Sequence, residues 1–225
     1  MNQTRIDFYD EWARSGKFDD QQKNLELYEM PNVLEMIYGL DPEHSIDLCC
    51  GTGRYIPALL EQSRTVVGVD ASKEMLKAAK TKYRDFIGDR LCFKKIDIES
   101  QSLPSGRYDL ALCTMAIGGF EDKQEAIRNV GSSMKTGGYL VISTYHPIQA
   151  LRRKVLTSRH SDHISQIPFT KPWMVSEYFR ALTDNRLQVI DMREPVFTVE
   201  TAAMSGTHTD EVGWPHVLIL KCMKV

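Results

Sequence analysis

A pair of aspartates and a pair of glycines carry the chemistry that this sequence shows most clearly. Asp47 lies in a short apolar stretch that runs into Gly51 and Gly53, and Asp70 ends the next apolar stretch. Glycine has no Cβ, so the backbone can bend sharply at these positions and a ligand can approach it closely. A carboxylate that ends the following strand can accept hydrogen bonds from two hydroxyls of a ribose. The spacing therefore predicts a nucleoside-binding site.

The residues around the glycines indicate which kind of nucleoside would bind. A dinucleotide site has the pattern Gly-x-Gly-x-x-Gly and directs a helix N-terminus at a pyrophosphate. Here Tyr55 and Ile56 occupy the region of the third glycine, and Asp47 precedes the turn. A carboxylate there would repel a pyrophosphate but would attract a cationic amino group. The prediction is a nucleoside that carries an amino group.

A strand, a turn, a helix and a second strand must bring these residues together. Apolar residues at helical spacing follow the turn in residues 55–61, and apolar runs predict buried strands at 45–48 and 65–70. Glycines at 137 and 138 are expected to end a helix at 123–134 as a C-cap. Further strands are predicted at 91–99, 107–113, 139–145, 187–197 and 216–222, and further helices at 6–13, 24–37, 72–80 and 173–182.

Three motifs together resemble the class I S-adenosylmethionine (SAM) methyltransferases. Residues 47–53 are similar to their usual motif Asp-x-Gly-x-Gly-x-Gly, with Cys49 in the place of the first glycine. A small residue other than glycine is expected to fit there if its φ is negative. Residues 70–79 and Tyr108-Asp109-Leu110 resemble the same family. The likeness extends over nearly the whole chain.

This resemblance implies the fold and the organisation of the chain. The fold would be α/β: a doubly wound, seven-stranded, mostly parallel, Rossmann-like sheet with a C-terminal antiparallel hairpin and an N-terminal helical cap. Residues 1–225 would form a single SAM-binding domain. Its parts would be the helical cap at 1–40, the cofactor-binding core at 41–146, a substrate-lid insertion at 147–175, and the C-terminal helix and strand hairpin at 176–225.

The resemblance also implies a cofactor site. SAM, and after reaction S-adenosylhomocysteine, would be bound without a metal. In the family, the acid after the second strand meets the ribose, and an acid after the third meets the adenine amino group. The backbone N–H after that second acid can serve a ring nitrogen, and Glu99 is expected to be solvated. Missing side chains at the two glycines would leave room for SAM. The implied cofactor contacts are Asp47, Cys49, Gly51, Gly53, Asp70, Ala71, Met75, Asp97, Ile98 and Cys113.

The acceptor side is expected around His146, which follows the fifth predicted strand and precedes Pro147. This pair resembles the Ser-x-x-His-Pro of a small-molecule subgroup similar to methyltransferase type 11. His146 would then be a catalytic base or a substrate contact. A histidine satisfied by the backbone at a strand end is the alternative. Aromatic residues near the predicted cleft would bind the substrate or pack in the core: Tyr9, Tyr28, Tyr145 and Trp173.

Composition limits the classes of partner. The formal net charge is −2, so no overall basic field attracts nucleic acid or an acidic membrane. No apolar run reaches the roughly 20 residues of a membrane span, and the N-terminus lacks the apolar core of a signal peptide. Five cysteines form an odd count without metal spacing. These features predict a cytoplasmic protein without a membrane or nucleic-acid partner, and the resemblance implies a small-molecule acceptor.

Three alternatives to small-molecule methylation at nitrogen, oxygen or carbon stay open. The first is an RNA or protein methyltransferase, although affinity for nucleic acid rests largely on phosphate neutralisation. The second is an enzyme that uses SAM for a reaction other than methyl transfer. The third is a non-catalytic SAM-binding regulator. The acceptor, its reacting atom and the oligomeric state stay open as well.

Overall fold

One seven-stranded sheet organises the chain. The structure, a computed structural model, describes residues 3–19, 25–149, 172–205 and 211–225. The strands are β1 (His44–Leu48), β2 (Thr65–Asp70), β3 (Leu91–Lys95), β4 (Tyr108–Thr114), β5 (Met134–Tyr145), β6 (Leu187–Arg193) and β7 (Val217–Lys224). Their order in the sheet is β3-β2-β1-β4-β5-β7-β6.

The pairing confirms the predicted fold class. Strands β1 to β5 are parallel to one another, whereas β7 is antiparallel to both β5 and β6. The chain leaves β1 toward β2 on one side and returns to its other side with β4, so the strand order reverses there. Ligands of open α/β sheets bind outside the carboxyl ends of the strands at such a reversal.

Helices cover both faces of the sheet. The described α-helices are α1 (Gln3–Arg14), α2 (Leu25–Tyr28), α3 (Met30–Ile37), α4 (Ile56–Gln62), α5 (Lys73–Lys82), α6 (Lys123–Ser133), α7 (Val175–Asp184) and α8 (Val199–Ser205). Apolar residues of α3, α4 and α5 pack with one core cluster, and those of α6 and α7 pack with the other. Parallel strands need this cover on both faces, which explains their continuous apolar character.

Two neighbouring cysteines show how the chain divides between these clusters. Cys49 packs against the cluster that contains Ile46 and Leu48, whereas Cys50 belongs to the cluster that contains Leu110. Both residues lie in the turn after β1, where the left-handed backbone of Cys49 (φ +55°) breaks the alternation of the strand. The two thiols therefore lie on opposite sides of the sheet.

The start of β5 corrects one prediction. Helix α6 ends at Ser133, and β5 begins directly at Met134, which pairs with Tyr108 of β4. Gly137 has φ +82°, but it lies within β5, where the register between β4 and β5 shifts. The expected glycine C-cap is wrong because pairing with β4 takes the chain into the sheet before the glycines are reached.

The expected substrate-lid insertion, residues 147–175, lies mostly outside the described residues, since 150–171 are not among them. The short helix α8 lies in the connection between β6 and β7. No helix in the described part of the chain is both long enough and apolar enough to span a membrane.

Candidate functional site

Backbone hydrogen bonds close the turn between β1 and α4. The N–H of Cys50 donates to the carbonyl of Val69 at 2.9 Å, and the N–H of Gly53 donates to that of Cys50 at 2.8 Å. Gly51 has φ +54° and Gly53 has φ +87°. Glycine adopts this left-handed region without a steric penalty. The turn therefore holds both glycines beside the carboxyl end of β2.

Cys49 also has a left-handed backbone, with φ +55°. The condition under which a small residue other than glycine was expected to fit, a negative φ, is therefore not met. Glycine, the usual residue of the family at this place, fits such a backbone freely, whereas a residue with a Cβ costs about 1–2 kcal/mol. Burial raises the pKa of the Cys49 thiol well above its usual range, with Cys113 and Asp70 adding to the shift. The thiol is thus uncharged where it lines the site.

Gly53 faces the protein interior. A Cβ built on it would lie 2.6 Å from Cε2 of Tyr83 and 3.0 Å from Cγ1 of Ile56. The expectation that this missing side chain leaves room for SAM is therefore wrong, because the room is taken by Tyr83. The Tyr83 hydroxyl also donates to the carbonyl of Gly53 at 2.7 Å. A Cβ on Gly51, in contrast, would lie 3.5 Å from Cε1 of Phe18.

Asp70, the last residue of β2, connects the glycine turn to the start of α5. Its Oδ2 accepts the N–H of Gly51 at 2.9 Å, and its Oδ1 accepts the N–H of Ser72 at 2.8 Å. Burial raises the pKa of the Asp70 carboxyl, and the N–H groups of Ser72, Gly51 and Ala71 oppose that shift. Because each carboxylate oxygen can accept two hydrogen bonds, Asp70 keeps capacity for ligand hydroxyls.

Asp47 lies inside β1 and is 2% exposed. Burial raises the pKa of its carboxyl to about 8; Arg54 lowers this pKa, while Asp70 and Glu29 raise it. The carboxyl therefore holds its proton much more tightly than an exposed aspartate does. A cation brought next to it would favour the ionised form.

Glu29 belongs to this group of charges, and the sequence did not single it out as a site residue. It lies between α2 and α3, is fully buried, and accepts the Tyr55 hydroxyl at 2.5 Å and the Ser143 hydroxyl. Its Oε2 lies 3.6 Å from Nη1 of Arg54. Burial raises the pKa of Glu29, and Arg54, Ser143 and Tyr55 oppose the shift. The available signal was a glutamate two residues before Pro31 in the predicted helix 24–37.

Asp97 follows β3, which ends at Lys95 rather than at the expected residue 99. Its Oδ1 accepts the N–H of Glu99 at 3.1 Å. Its Oδ2 is buried and has no hydrogen-bond partner among the described residues. Ile98 is buried beside it, and its carbonyl accepts Nδ2 of Asn129 at 2.9 Å. Asp97 therefore presents one unsatisfied acceptor at the carboxyl edge of the sheet.

The side chain of Glu99 is not solvated, so that expectation is wrong. Its carboxylate forms an ion pair with Arg5 of α1, and both side chains are mostly buried. It also accepts the N–H groups of Glu121 and Asp122 at 2.7 and 3.0 Å. These donors lie at the start of α6, where a carboxylate is favoured by the helix dipole. Glu99 thus joins α1 to α6.

Helix α1 docks on the ends of several strands. Arg5 donates from Nη1 to the carbonyl of Gly119 at 3.1 Å, and its guanidinium lies 4.9 Å from the centre of the Phe120 ring. Asp10 accepts the Ser72 hydroxyl at 2.5 Å and the N–H of Glu74 at 3.2 Å. The helical cap is therefore fixed over the region between β2, β3 and β4.

Tyr9 projects from this cap toward the glycine turn. Burial, together with the nearby Asp70, Cys49 and Tyr145, raises the pKa of its phenol to about 12, and Arg5 opposes this shift. The Tyr9 hydroxyl therefore stays protonated near neutral pH. Tyr9 is thus grouped with predicted cofactor residues at the end of β2 and with Tyr145 at the end of β5.

The remaining predicted cofactor residues line the same edge. Ser72 accepts the N–H of Met75 at 3.1 Å, which confirms it as the N-cap of α5. Met75 is buried, and its Sδ would lie 4.0 Å from a Cβ on Gly51. Ala71 is half-buried at the start of the same helix. Cys113, in β4, is buried, which raises the pKa of its thiol to about 12.

Both ring nitrogens of His146 have partners in the protein. Nε2 lies 2.8 Å from Oε1 of Glu194, and Nδ1 accepts the N–H of Ile148 at 3.2 Å. Since Nδ1 is an acceptor, the proton of the neutral ring lies on Nε2 and points at Glu194. The backbone N–H of His146 donates to the carbonyl of His216 at 2.9 Å. This geometry matches the alternative of a histidine satisfied at a strand end.

Tyr28 and Trp173 pack against other aromatic rings on opposite faces of the sheet. Tyr28 is buried, with ring centres of Phe197 and His216 each 4.8 Å away. Trp173 lies on the other face, 5.3 Å from the ring of Tyr178. Both aromatic residues therefore make core contacts. In the described parts of the chain, no group of three or more histidine, cysteine, aspartate or glutamate side chains is placed to hold a metal.

Comparison with known proteins finds several that are similar to this chain. Residues 46–138 match the family described as "Methyltransferase domain". The ubiquinone biosynthesis O-methyltransferase of Vibrio parahaemolyticus is 27% identical over 134 residues, which cover 59% of this chain and 56% of that enzyme. The chain spans about half the length of the curated relatives it matches.

Solved structures match over a greater length. A putative methyltransferase in complex with the Haloferax volcanii Trm112 methyltransferase activator has a TM-score of 0.74 at 18% identity, covering 96% of this chain and 97% of that chain. A SAM-dependent methyltransferase from Mesorhizobium loti has a TM-score of 0.68 at 22% identity, covering 87% and 97%. The shared fold includes the C-terminal antiparallel strands.

Proposed function

We propose that this chain, whose residues 46–138 match the family described as "Methyltransferase domain", is a class I SAM-dependent enzyme that transfers a methyl group from SAM to a small molecule. The observation that supports this most directly is a pair of carboxylates at neighbouring strand ends. Asp70 keeps accepting capacity, and Oδ2 of Asp97 has no partner within the described ranges. A ribose diol and the adenine amino group would supply the donors that these oxygens lack.

The chain's residues fit the parts of the cofactor in order along the sheet edge. Asp70 would hold the ribose hydroxyls, Asp97 and the N–H of Ile98 would hold the adenine edge, and Met75 would lie on the adenine face. Asp47 would pair with the amino group. The remaining lining would come from the backbone of Gly51 and Gly53 and from Cys49, Ala71 and Cys113.

Orientation and exclusion of water are the chain's main contributions to the reaction. Bound SAM supplies a methyl group on a sulfonium, which is already a strong electrophile. The cap would keep water from the acceptor because Tyr9 and Arg5 come from a helix that docks over the strand ends. The protonated phenol of Tyr9 would present its ring to the cationic sulfur and its hydroxyl to the acceptor.

The acceptor is proposed to approach the edge where Tyr9 and Tyr145 lie. The O-methyltransferase relative favours a hydroxyl as the acceptor atom. His146 would position this edge rather than take a proton, because both of its ring nitrogens are engaged. Tyr28 and Trp173 would support the sides of the acceptor site through their core contacts. The balanced charge favours a small molecule over a nucleic acid.

Calorimetry with S-adenosylhomocysteine tests the cofactor assignment. Asp70→Asn should lower affinity by roughly 30- to 1,000-fold, because charge-assisted hydrogen bonds to the ribose weaken. Asp85→Asn is the matched control, since Asp85 is exposed and pairs only with its neighbour Arg84 within the contacts described. Wild-type protein that fails to bind, or a folded Asp70→Asn that binds normally, would contradict the proposal.

Methyl transfer itself is tested by incubating the protein with SAM and a panel of small hydroxyl and amine compounds. Formation of S-adenosylhomocysteine that depends on both an acceptor and Asp70 is the expected result. SAM binding without product from any acceptor would favour the non-catalytic alternative. Product that appears only with RNA or a protein would favour the first alternative instead.

A further inference from the structure

Arg54 lies beside a fully buried carboxylate without hydrogen-bonding to it through Nη1. That atom is 3.6 Å from Oε2 of Glu29, too far for a hydrogen bond. The Glu29 oxygens instead accept the hydroxyls of Tyr55 and Ser143. Nη1 of Arg54 is buried and has no hydrogen-bond partner among the residues that the structure describes. This charged donor is therefore shielded from water and lacks an acceptor within the described residues.

This unfilled donor is unusual because buried polar atoms are nearly always paired. A buried donor on a charged group that lacks an acceptor costs free energy, and hydrogen bonds to charged groups are stronger than neutral ones. The nearby negative charge of Glu29 holds the guanidinium in place but leaves the donor available. An anionic acceptor from a ligand would complete the arrangement.

The neighbours of Arg54 indicate what that ligand would carry. Arg54 follows Gly53 directly, so its side chain starts at the glycine turn. Asp47, on the adjoining strand, is close enough for Arg54 to lower the pKa of its carboxyl. One acid and one guanidinium at the same turn complement an ammonium and a carboxylate carried on the same carbon.

We propose that Arg54 binds the α-carboxylate of the cofactor and that Glu29 is its positioning residue. The inference rests on the proposed function, since it assigns the amino-acid end of SAM. Glu29 is fixed by Tyr55 and Ser143, so it holds the guanidinium against the turn while the ligand's carboxylate takes Nη1. Arg54 also lies 5.8 Å from the centre of the Tyr55 ring, which restricts its rotation.

The opposite interpretation is that Arg54 only balances the charge of Glu29. In that case its removal would leave a buried carboxylate uncompensated and would destabilise the whole protein. Binding of any ligand would then weaken through the fold. The two interpretations differ in whether the loss depends on the ligand's carboxylate.

Binding of two ligands distinguishes these two interpretations. The ligands are S-adenosylhomocysteine and 5′-methylthioadenosine, a nucleoside thioether without the amino-acid group. Arg54→Gln should lower affinity for S-adenosylhomocysteine by ~10- to 100-fold and change affinity for 5′-methylthioadenosine by less than about threefold. Arg64→Gln is the matched control, because Arg64 is 77% exposed in its side chain and pairs with Glu43 at the surface. It should change neither affinity.

The double variant Glu29→Gln/Arg54→Gln keeps the test valid if Arg54→Gln folds poorly, because it removes both charges. It should recover stability in urea denaturation but keep the selective loss of S-adenosylhomocysteine affinity. Recovery of that affinity in the double variant, or an equal loss for both ligands, would overturn the inference. Wild-type protein that binds neither ligand would instead overturn the proposed function.

Discussion

At the scale of single residues, Gly53 is required by the packing of the protein itself. Its φ is +87°, and the space that a Cβ would need is filled by the Tyr83 ring. The Tyr83 hydroxyl donates to the Gly53 carbonyl, so ring and turn hold each other. The identity of this glycine therefore follows from α5 and the residue after it rather than from a ligand.

Gly53→Ala should lower the free energy of unfolding by about 2–4 kcal/mol, because left-handed strain and a contact with Tyr83 add together. Gly106→Ala is the matched control: Gly106 has φ +59°, but nothing lies within 4 Å of an added Cβ. Urea denaturation measures both. Equal losses in the two variants would show that the Tyr83 contact contributes nothing.

Residue types and spacing predicted Asp47, Asp70 and Asp97 at strand ends because each follows or lies in a recognisable apolar run. Glu29 was not predicted as a site residue, since its partner Ser143 is 114 residues away and no local pattern links them. The left-handed φ of Cys49 could not be predicted because the path of the chain, and not the residue type, sets it. Such features depend on contacts between residues far apart in the sequence, which local residue spacing does not reveal.

At the scale of elements, α1 depends on a buried ion pair for its position. Arg5 pairs with Glu99 and donates to Gly119, while Asp10 binds the start of α5. Ile6 is buried, but the aromatic side chains of α1 are only half-buried, so its polar contacts carry a large share of the docking. Polar contacts therefore decide whether the cap stays docked.

Arg5→Ala should speed hydrogen exchange of the α1 amides by roughly 100-fold or more, because breaking a buried pair costs about 3 kcal/mol or more. Arg14→Ala, on the same helix, is the control: its side chain is 54% exposed and its ion pairs are 3.6 to 3.9 Å long. That variant should change exchange by less than about fivefold. Comparable rates in both variants would mean that the Arg5 contacts do not hold the cap.

Most elements could be predicted because their apolar periodicity is strong, and the β strands and α helices differ from expectation mainly at their ends. The exception at β5 has a physical cause: pairing of Met134 with Tyr108 extends the strand past a glycine pair that locally favours a turn. Likewise β3 ends early, which places Asp97 in a loop with an unfilled oxygen. Tertiary pairing overrides local preference at these places.

At the scale of the whole molecule, buried acids couple stability to pH. Burial raises the pKa of Asp47 to about 8, while the unfolded chain should ionise it near pH 4. Between these values the folded state binds more protons than the unfolded state. Stability contributed by this group is therefore greatest at low pH and falls as pH rises through that window.

Asp47→Asn should reduce the fall in unfolding free energy between about pH 5 and pH 8, by up to ~1.4 kcal/mol per pH unit. Glu29 and Asp70 have pKa values raised in the same direction, so part of the slope should remain. Urea denaturation across this pH range provides the measurement, with Asp85→Asn as the control. The same slope in wild type and Asp47→Asn would contradict the assignment.

The fold class could be predicted because alternating strands and helices favour a parallel sheet, whose right-handed connections leave few topologies. The docking of the cap on the strand ends could not, since its polar contacts follow no periodicity.

The docked position of α1 also has a consequence for the order in which the chain folds. Asp10 reaches Ser72 across 62 residues of sequence, and Arg5 reaches Gly119 across 114. Closing such long loops is entropically costly before their ends have a formed surface to bind. During synthesis α1 emerges before these partners, and its docking surface is complete only when β4 and the loop after it are in place. Helix α1 is therefore made before the elements it binds and docks after them.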